Sequence, residues 1–180
     1  MENITIIMDE TPERFRHYAD QIIPDFIELF REYTKITTPL MKQRKEIIEQ
    51  NKHIIRTADN WNDFDDYYAI LNKIDDECRK RKAELLAGHI TDNIYVTNSD
   101  KYPSEFDYFN STFKLRFIMK SEKKITIDTI PYPIYYPISD RYGYLRHRFI
   151  LRPDPDNGKW LIDWFGFSYE EEGYLRKWDL

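Results

Sequence analysis

Thr112-Phe113-Lys114-Leu115-Arg116-Phe117-Ile118-Met119-Lys120 changes character at almost every step, apolar then cationic. Successive side chains of a strand point to opposite faces. Phe113, Leu115, Phe117 and Met119 therefore share one face, and Lys114, Arg116, Ile118 and Lys120 the other. That is the pattern of a strand with one face in a core and one in water. Ser121-Glu122-Lys123 then turns the chain into Lys124–Ile130, a second alternating stretch. A turn this short joins antiparallel neighbours, because parallel ones need a long crossover.

Downstream, Pro131, Pro133 and Pro137 interrupt a Tyr- and Ile-rich stretch, which places it at a sheet edge or in an irregular connection. Tyr144–Arg152 and Lys159–Phe165 read as two more strands. Between them Pro153-Asp154-Pro155-Asp156-Asn157-Gly158 is dense in turn formers, and Asn-Gly is a strong hairpin signal. Asn93–Thr97 reads as a short strand, and the tail Tyr169–Leu180 as a short helix or an extended arm.

Upstream, the period is helical. Thr11-Pro12-Glu13 has the form of a helix start, with Thr as N-cap, Pro at the first helical position and Glu near the positive dipole end. Phe15, Tyr18, Ile22, Phe26, Leu29 and Tyr33 recur at three- or four-residue spacing, with Pro24 expected to kink or split the helix. Thr38-Pro39 repeats the start signal for a second helix, Leu40 to about Ile55. A third has Asn62 as cap, Asp63, Asp65 and Asp66 at its positive end and Arg79–Lys82 at the other, with Gly88 as its stop. Its stripe of Phe64, Tyr67, Leu71, Ile74, Cys78 and Leu85 is expected to pack on the sheet. Helices first and hairpin-linked strands afterwards make an α+β domain. It is expected to be single over 1–180: helical about 11–88, sheet about 92–168, tail 169–180.

The totals fit this reading. A chain of 180 residues with 41% hydrophobic and 16% aromatic residues can bury a core without cross-links. The net charge of −5 disfavours nucleic acid and anionic membranes as partners. A lone cysteine, Cys78, excludes an internal disulfide and reads as core. There is neither a basic leader with an apolar stretch nor a window apolar enough for a membrane helix, so a cytoplasmic location is expected.

Candidate chemistry is sparse. His17, His53, His89 and His147 lack partners at ligand spacing, so no metal is expected, and no glycine-rich phosphate loop or nucleophile elbow occurs, so no cofactor is either. A pocket enclosed by helices and sheet needs only one Asp or His with a Tyr donor for proton abstraction. Asp128, His147, Asp163, Tyr132, Tyr135 and Tyr144 are the candidates, with Asp163, His147 and Tyr144 the preferred set. Strict alternation puts Asp163 on the face of Leu161 and Phe165, where apolar neighbours would raise its pKa. The other reading of Asp163 is a structural pair with Arg146 or Arg148. The loop 98–110 interleaves Tyr102, Phe106, Tyr108 and Phe109 with Asp100, Glu105 and Asp107. It reads either as a lid on the core or as aromatic anchors for a protein partner.

The strand Tyr144–Arg152, the turn Asp156-Asn157-Gly158 and Lys159-Trp160-Leu161-Ile162-Asp163-Trp164 together resemble the closing hairpin of the nuclear transport factor 2-like superfamily. The resemblance covers about residues 60–168; the helices at 11–55 are longer than compact versions of that fold need. It implies a curved, cone-like antiparallel sheet packed with N-terminal helices and closed by a C-terminal hairpin. Enzymes of that group, such as ketosteroid isomerases and scytalone dehydratases, place Asp, Tyr or His inside the cone, but no such set aligns here residue by residue. Other members are bacterial immunity proteins that neutralise a cognate toxin. The acidic, motif-poor, aromatic-rich chain looks like these. The resemblance thus implies a non-enzymatic protein-binding module that occludes a toxin. The acidic balance favours a basic toxin domain, and the aromatic loop and acidic tail offer Tyr102, Phe106, Tyr108, Phe109, Glu170, Glu171 and Glu172 as expected contacts. The alternatives are a cone-type pocket enzyme or small-molecule binder using Asp163, His147 and Tyr144, and an oligomeric module that forms a homodimer through its sheet.

Overall fold

A computed structural model describes residues 4–51, 61–96, 109, 113–130, 132–136, 141–169 and 176–177. Strand β1 (Ile4–Ile7) leads into helix α1 (Glu13–Gln50) and helix α2 (Trp61–Leu86). The strands β2 (Phe113–Ser121), β3 (Lys124–Thr129), β4 (Tyr132–Tyr136), β5 (Arg141–Pro153), β6 (Trp160–Tyr169) and β7 (Arg176–Lys177) follow. The result is an α+β architecture. The sheet runs β1-β2-β3-β5-β6-β7 and is mixed, because β1 pairs parallel to β2 while the other pairs are antiparallel. The β3 and β4 registers against β5 differ by one residue, so these strands follow one another along the same partner.

The expected alternation is seen along β2, where Phe113, Leu115, Phe117 and Met119 are buried and Lys114 and Lys120 exposed. Between β5 and β6, Asp154 carries the turn. Its carboxylate accepts from the Asp156 N–H at 3.0 Å and the Asn157 amide at 2.6 Å, and its carbonyl accepts from the Gly158 N–H at 2.8 Å. Gly158 has a φ of 72°, a conformation costly for any residue with a Cβ. Gly88 ends α2 with the same φ of 72°.

Four expectations about the helical half are corrected. Residues 13–50 form one helix rather than two, with Pro24 and Pro39 both inside it. Each internal proline costs about 3 kcal/mol, but each fully buried Phe or Ile stabilises by about 1.5–3 kcal/mol. The buried face Phe15, Ile23, Phe26, Ile27, Phe30 and Tyr33 therefore outweighs them. Thr11 does not cap this helix; Pro12 takes the N-cap position without a side-chain bond. The Thr11 hydroxyl instead donates to the Phe117 carbonyl at 2.7 Å and accepts from the Met119 N–H at 3.1 Å. It thereby continues the β1 edge along β2 after β1 has ended.

The α2 stripe packs mainly on α1 rather than on the sheet. The two helices run antiparallel, since Lys82 lies over the Tyr33 ring and Arg44 bonds Asp75 at 2.8 Å. Tyr67, Leu71, Ile74 and Cys78 are buried along this contact, while only Leu85 and Leu86, in the last turn, reach the sheet-side core. Finally, Ile94–Val96 is not a strand; the pairing here is a single parallel bridge, Ile90 to Ile162. Thr97 lies outside the described residues, as do 52–55 of the expected second helix.

Candidate functional site

The sheet has two unlike faces. The inner one carries Leu115, Phe117 and Met119 of β2, Ile125 and Ile127 of β3, Phe149 and Leu151 of β5, and Ile162 and Phe165 of β6, none more than 3% exposed. Helix α1 fills it. Phe30 stacks on Phe109 with centroids 5.1 Å apart, and Phe26 meets Phe149 edge-on at 4.9 Å. Phe109 is fully buried there, and the rest of its loop lies outside the described residues. Tyr102, Phe106, Tyr108, Glu170, Glu171 and Glu172 lie outside the described residues.

The Asp163, His147 and Tyr144 set is not brought together by the described geometry. His147 is fully buried on the inner face, its ring stacked on Phe165 at 5.5 Å. Its backbone N–H donates to the Thr129 hydroxyl at 2.8 Å, which takes over where β3 ends. Asp163 is on the other side of a β-bulge. Ile150 pairs with Trp164 but Leu151 with Ile162, which leaves Asp163 as the extra residue. The bulge lets Ile162 and Phe165 share the inner face and turns Asp163 away from it. There Asp163 accepts from Arg152 Nε at 2.7 Å, the Asn93 amide at 2.7 Å and the Thr91 hydroxyl at 3.0 Å. Burial alone would raise its carboxyl pKa, but these three donors outweigh it and hold the pKa below its ordinary value. The structural-pair reading thus describes Asp163 in kind, with Arg152 in place of Arg146 or Arg148. Tyr144 stands opposite Pro133 in the β4–β5 ladder.

The sequence reading reached the outer face only as the homodimer surface of its oligomeric alternative and did not single out the rows that compose it. Opposite one another across β2, β3, β5 and β6 lie Ile118, Thr126, Ile150 and Trp164, an apolar row in which Ile118, Ile150 and Trp164 are half-buried. The adjacent row is ionic: Arg116, Asp128 and Arg148 face each other in register. Arg148 grips Asp128 with two hydrogen bonds, Nε to Oδ1 at 2.6 Å and a second terminal-nitrogen bond to Oδ2. The Asp128 hydrogen bond in turn raises the Arg148 pKa. Arg116 Nε and Arg146 Nε are buried and donate no hydrogen bond among the described residues. Among the described residues Arg116 Nε has a longer ion pair with Asp9, at 3.4 Å. At the β2–β3 end a hollow of about 330 Å³ opens between Lys120, Lys124 and Arg148, with Glu10 beside Lys120 at 3.1 Å.

Positive charge is concentrated in the strand half of an acidic chain: residues 113–169, faces and turns together, contain 10 Lys and Arg against 6 Asp and Glu, net +4, and the remaining residues carry −9. The signal was present in the sequence as Lys114, Arg116, Lys120, Lys124, Arg146, Arg148 and Arg152. Only the strand pairing shows that these stand on one surface.

No known family model, curated protein or solved structure matches the chain. Among the described residues, no helix is long and apolar enough to cross a membrane, and no cluster of His, Cys, Asp or Glu could hold a metal ion.

Proposed function

We propose that this chain is a non-enzymatic protein-binding module, an immunity protein that neutralises a toxin by occluding it, and that the outer sheet face takes part in the contact. The observation that carries the docking part is the pairing of a half-buried apolar row, Ile118, Ile150 and Trp164, with Arg146, whose Nε has no hydrogen bond among the described residues, and Arg116, whose Nε has only the 3.4 Å ion pair with Asp9. Trp and Arg are the side chains most often found at the energetic centres of interfaces, and a partner carbonyl or carboxylate would satisfy the buried donors. The neutralising part rests on the resemblance of the β5–β6 hairpin sequence and on the absence of a motif that dictates chemistry. The charge segregation supports an oriented encounter: basic partner surface steers toward the acidic remainder, acidic groups toward the sheet face. Tyr102, Phe106, Tyr108 and Glu170–Glu172 are proposed as further contacts on the same partner.

The test is capture from the host's own lysate with the tagged chain, beside an Ile118→Glu, Ile150→Glu double variant of matched thermal stability. The natural chain is expected to retain one stoichiometric partner whose toxicity it suppresses on co-expression. The double variant is expected to lose both capture and protection. A partner retained equally by both proteins removes the sheet face from the contact; a partner that is not toxic removes the immunity role.

A further inference from the structure

A second concavity is independent of the sheet's outer face. Helix α1, the residues following α2 and the start of β6 converge on a hollow of about 250 Å³. Its floor is apolar, with Phe26 and Ile162, and Trp160 forms a wall held edge-on by Tyr18 at 6.4 Å. Asp25 from α1 and Lys159 from the β5–β6 turn stand on its rim together with His89. The backbone around His89 is anchored: its N–H donates to the Leu86 carbonyl at 2.9 Å, and its carbonyl accepts from the Ile162 N–H at 2.8 Å. The rim is therefore tied to the sheet.

The rim charges have not collapsed onto each other. Asp25 and Lys159 line the same hollow, yet neither side chain makes an ion pair or hydrogen bond among the described residues. Burial lowers the His89 pKa, Lys159 lowers it further, and Asp25 opposes them. The ring is thus biased toward its neutral form, a hydrogen-bonding group on the same hollow as the Asp25 and Lys159 side chains. An apolar floor with a few converging polar groups is the general form of a small-ligand site, and this volume suits a small occupant.

We propose that this hollow binds a small zwitterion with an apolar body, an aliphatic or aromatic amino acid. Its carboxylate meets Lys159, its ammonium meets Asp25, and its side chain lies against Phe26, Ile162 and Trp160. Such an occupant pairs both rim charges at once and covers the apolar floor, which neither a simple anion nor a simple cation does.

Calorimetric titration of the full chain with L-phenylalanine and L-leucine tests this, beside 3-phenylpropionate and phenethylamine, which each lack one charge. Saturable binding of the amino acids is expected, with each single-charge analogue weaker by about tenfold or more, the scale of one charge-assisted hydrogen bond. Asp25→Asn should erase the advantage over phenylpropionate, and Lys159→Gln that over phenethylamine. Both side chains are exposed, so unchanged melting temperatures are expected. If a variant does not fold, the analogue series on the natural chain still decides. No saturable binding, analogues that bind as tightly as the amino acids, or variants that titrate like the natural chain would each overturn the proposal.

Discussion

Thr11 is 2% exposed, and its hydroxyl is shared between the Phe117 carbonyl and the Met119 N–H. Thr11→Val keeps the shape and removes both bonds, leaving two buried backbone groups without partners. Each such group costs about 1–3 kcal/mol, so urea unfolding should show a loss of about 2–6 kcal/mol, with Thr11→Ser close to the natural chain. A Val variant as stable as the Ser variant would mean that the bonds are not needed. Asp163 gives a pH-dependent counterpart. Its folded pKa lies below the ordinary 3.8, so its contribution is fully present above about pH 3.8 and lost as pH falls through the folded value. Asp163→Asn should cost about 1 kcal/mol at pH 7, and the difference from the natural chain should close on acidification; one that widens contradicts the assignment. The Thr11 role was not legible in the sequence, and for Asp163 only its kind, a structural pair with an arginine, was. Thr11 before Pro12 has the form of a helix cap, and what reassigns it is an unpaired stretch of β2 more than a hundred residues away. The face of Asp163 depends on a bulge, and a bulge leaves no mark in a period-two reading.

At the scale of elements, legibility followed how local the cause was. The β2 alternation and the Gly88 stop are decided within a few residues, and each is found where the sequence reading puts it; β3, read as alternating, is instead buried on both faces from Ile125 to Thr129. The β1 strand was not anticipated, because Ile4–Ile7 has no alternation and is defined by its pairing with β2. The continuity of α1 is likewise a tertiary effect. A proline states a local penalty, whereas the gain that overrides it comes from the apolar face that α1 buries. Pro39 is exposed, so Pro39→Ala restores a backbone donor without disturbing the core. The variant should be more stable by about 1–3 kcal/mol, the range set by internal proline penalties, with unchanged or higher helical content by circular dichroism. A loss of stability would show that the Pro39 ring contributes to the folded geometry.

Across the whole molecule, α1 is sandwiched between the sheet and α2, and this decides how the chain should unfold. Phe30 is fully buried near the centre of that arrangement: its ring packs on Phe26, Tyr33, Phe109 and Phe149, joining one helix to the sheet and to the segment before β2. Charge cannot supply equivalent cohesion, because many of the ion pairs, such as Arg79 with Asp76 and Arg16 with Glu13, are exposed on helix surfaces and stabilise little. The layers are held by the aromatic core instead. Phe30→Ala should therefore cost about 3–5 kcal/mol, as deletion of a buried ring generally does. The loss should appear as a lower denaturant midpoint for the entire molecule, with helical circular dichroism and tryptophan fluorescence moving together. If the helical signal persists after the fluorescence transition, α1 and α2 form a unit that does not need the sheet. In that case the aromatic layer beneath α1 is an interface between two separately stable parts, and the outer face could change partner affinity without involving the helices at all.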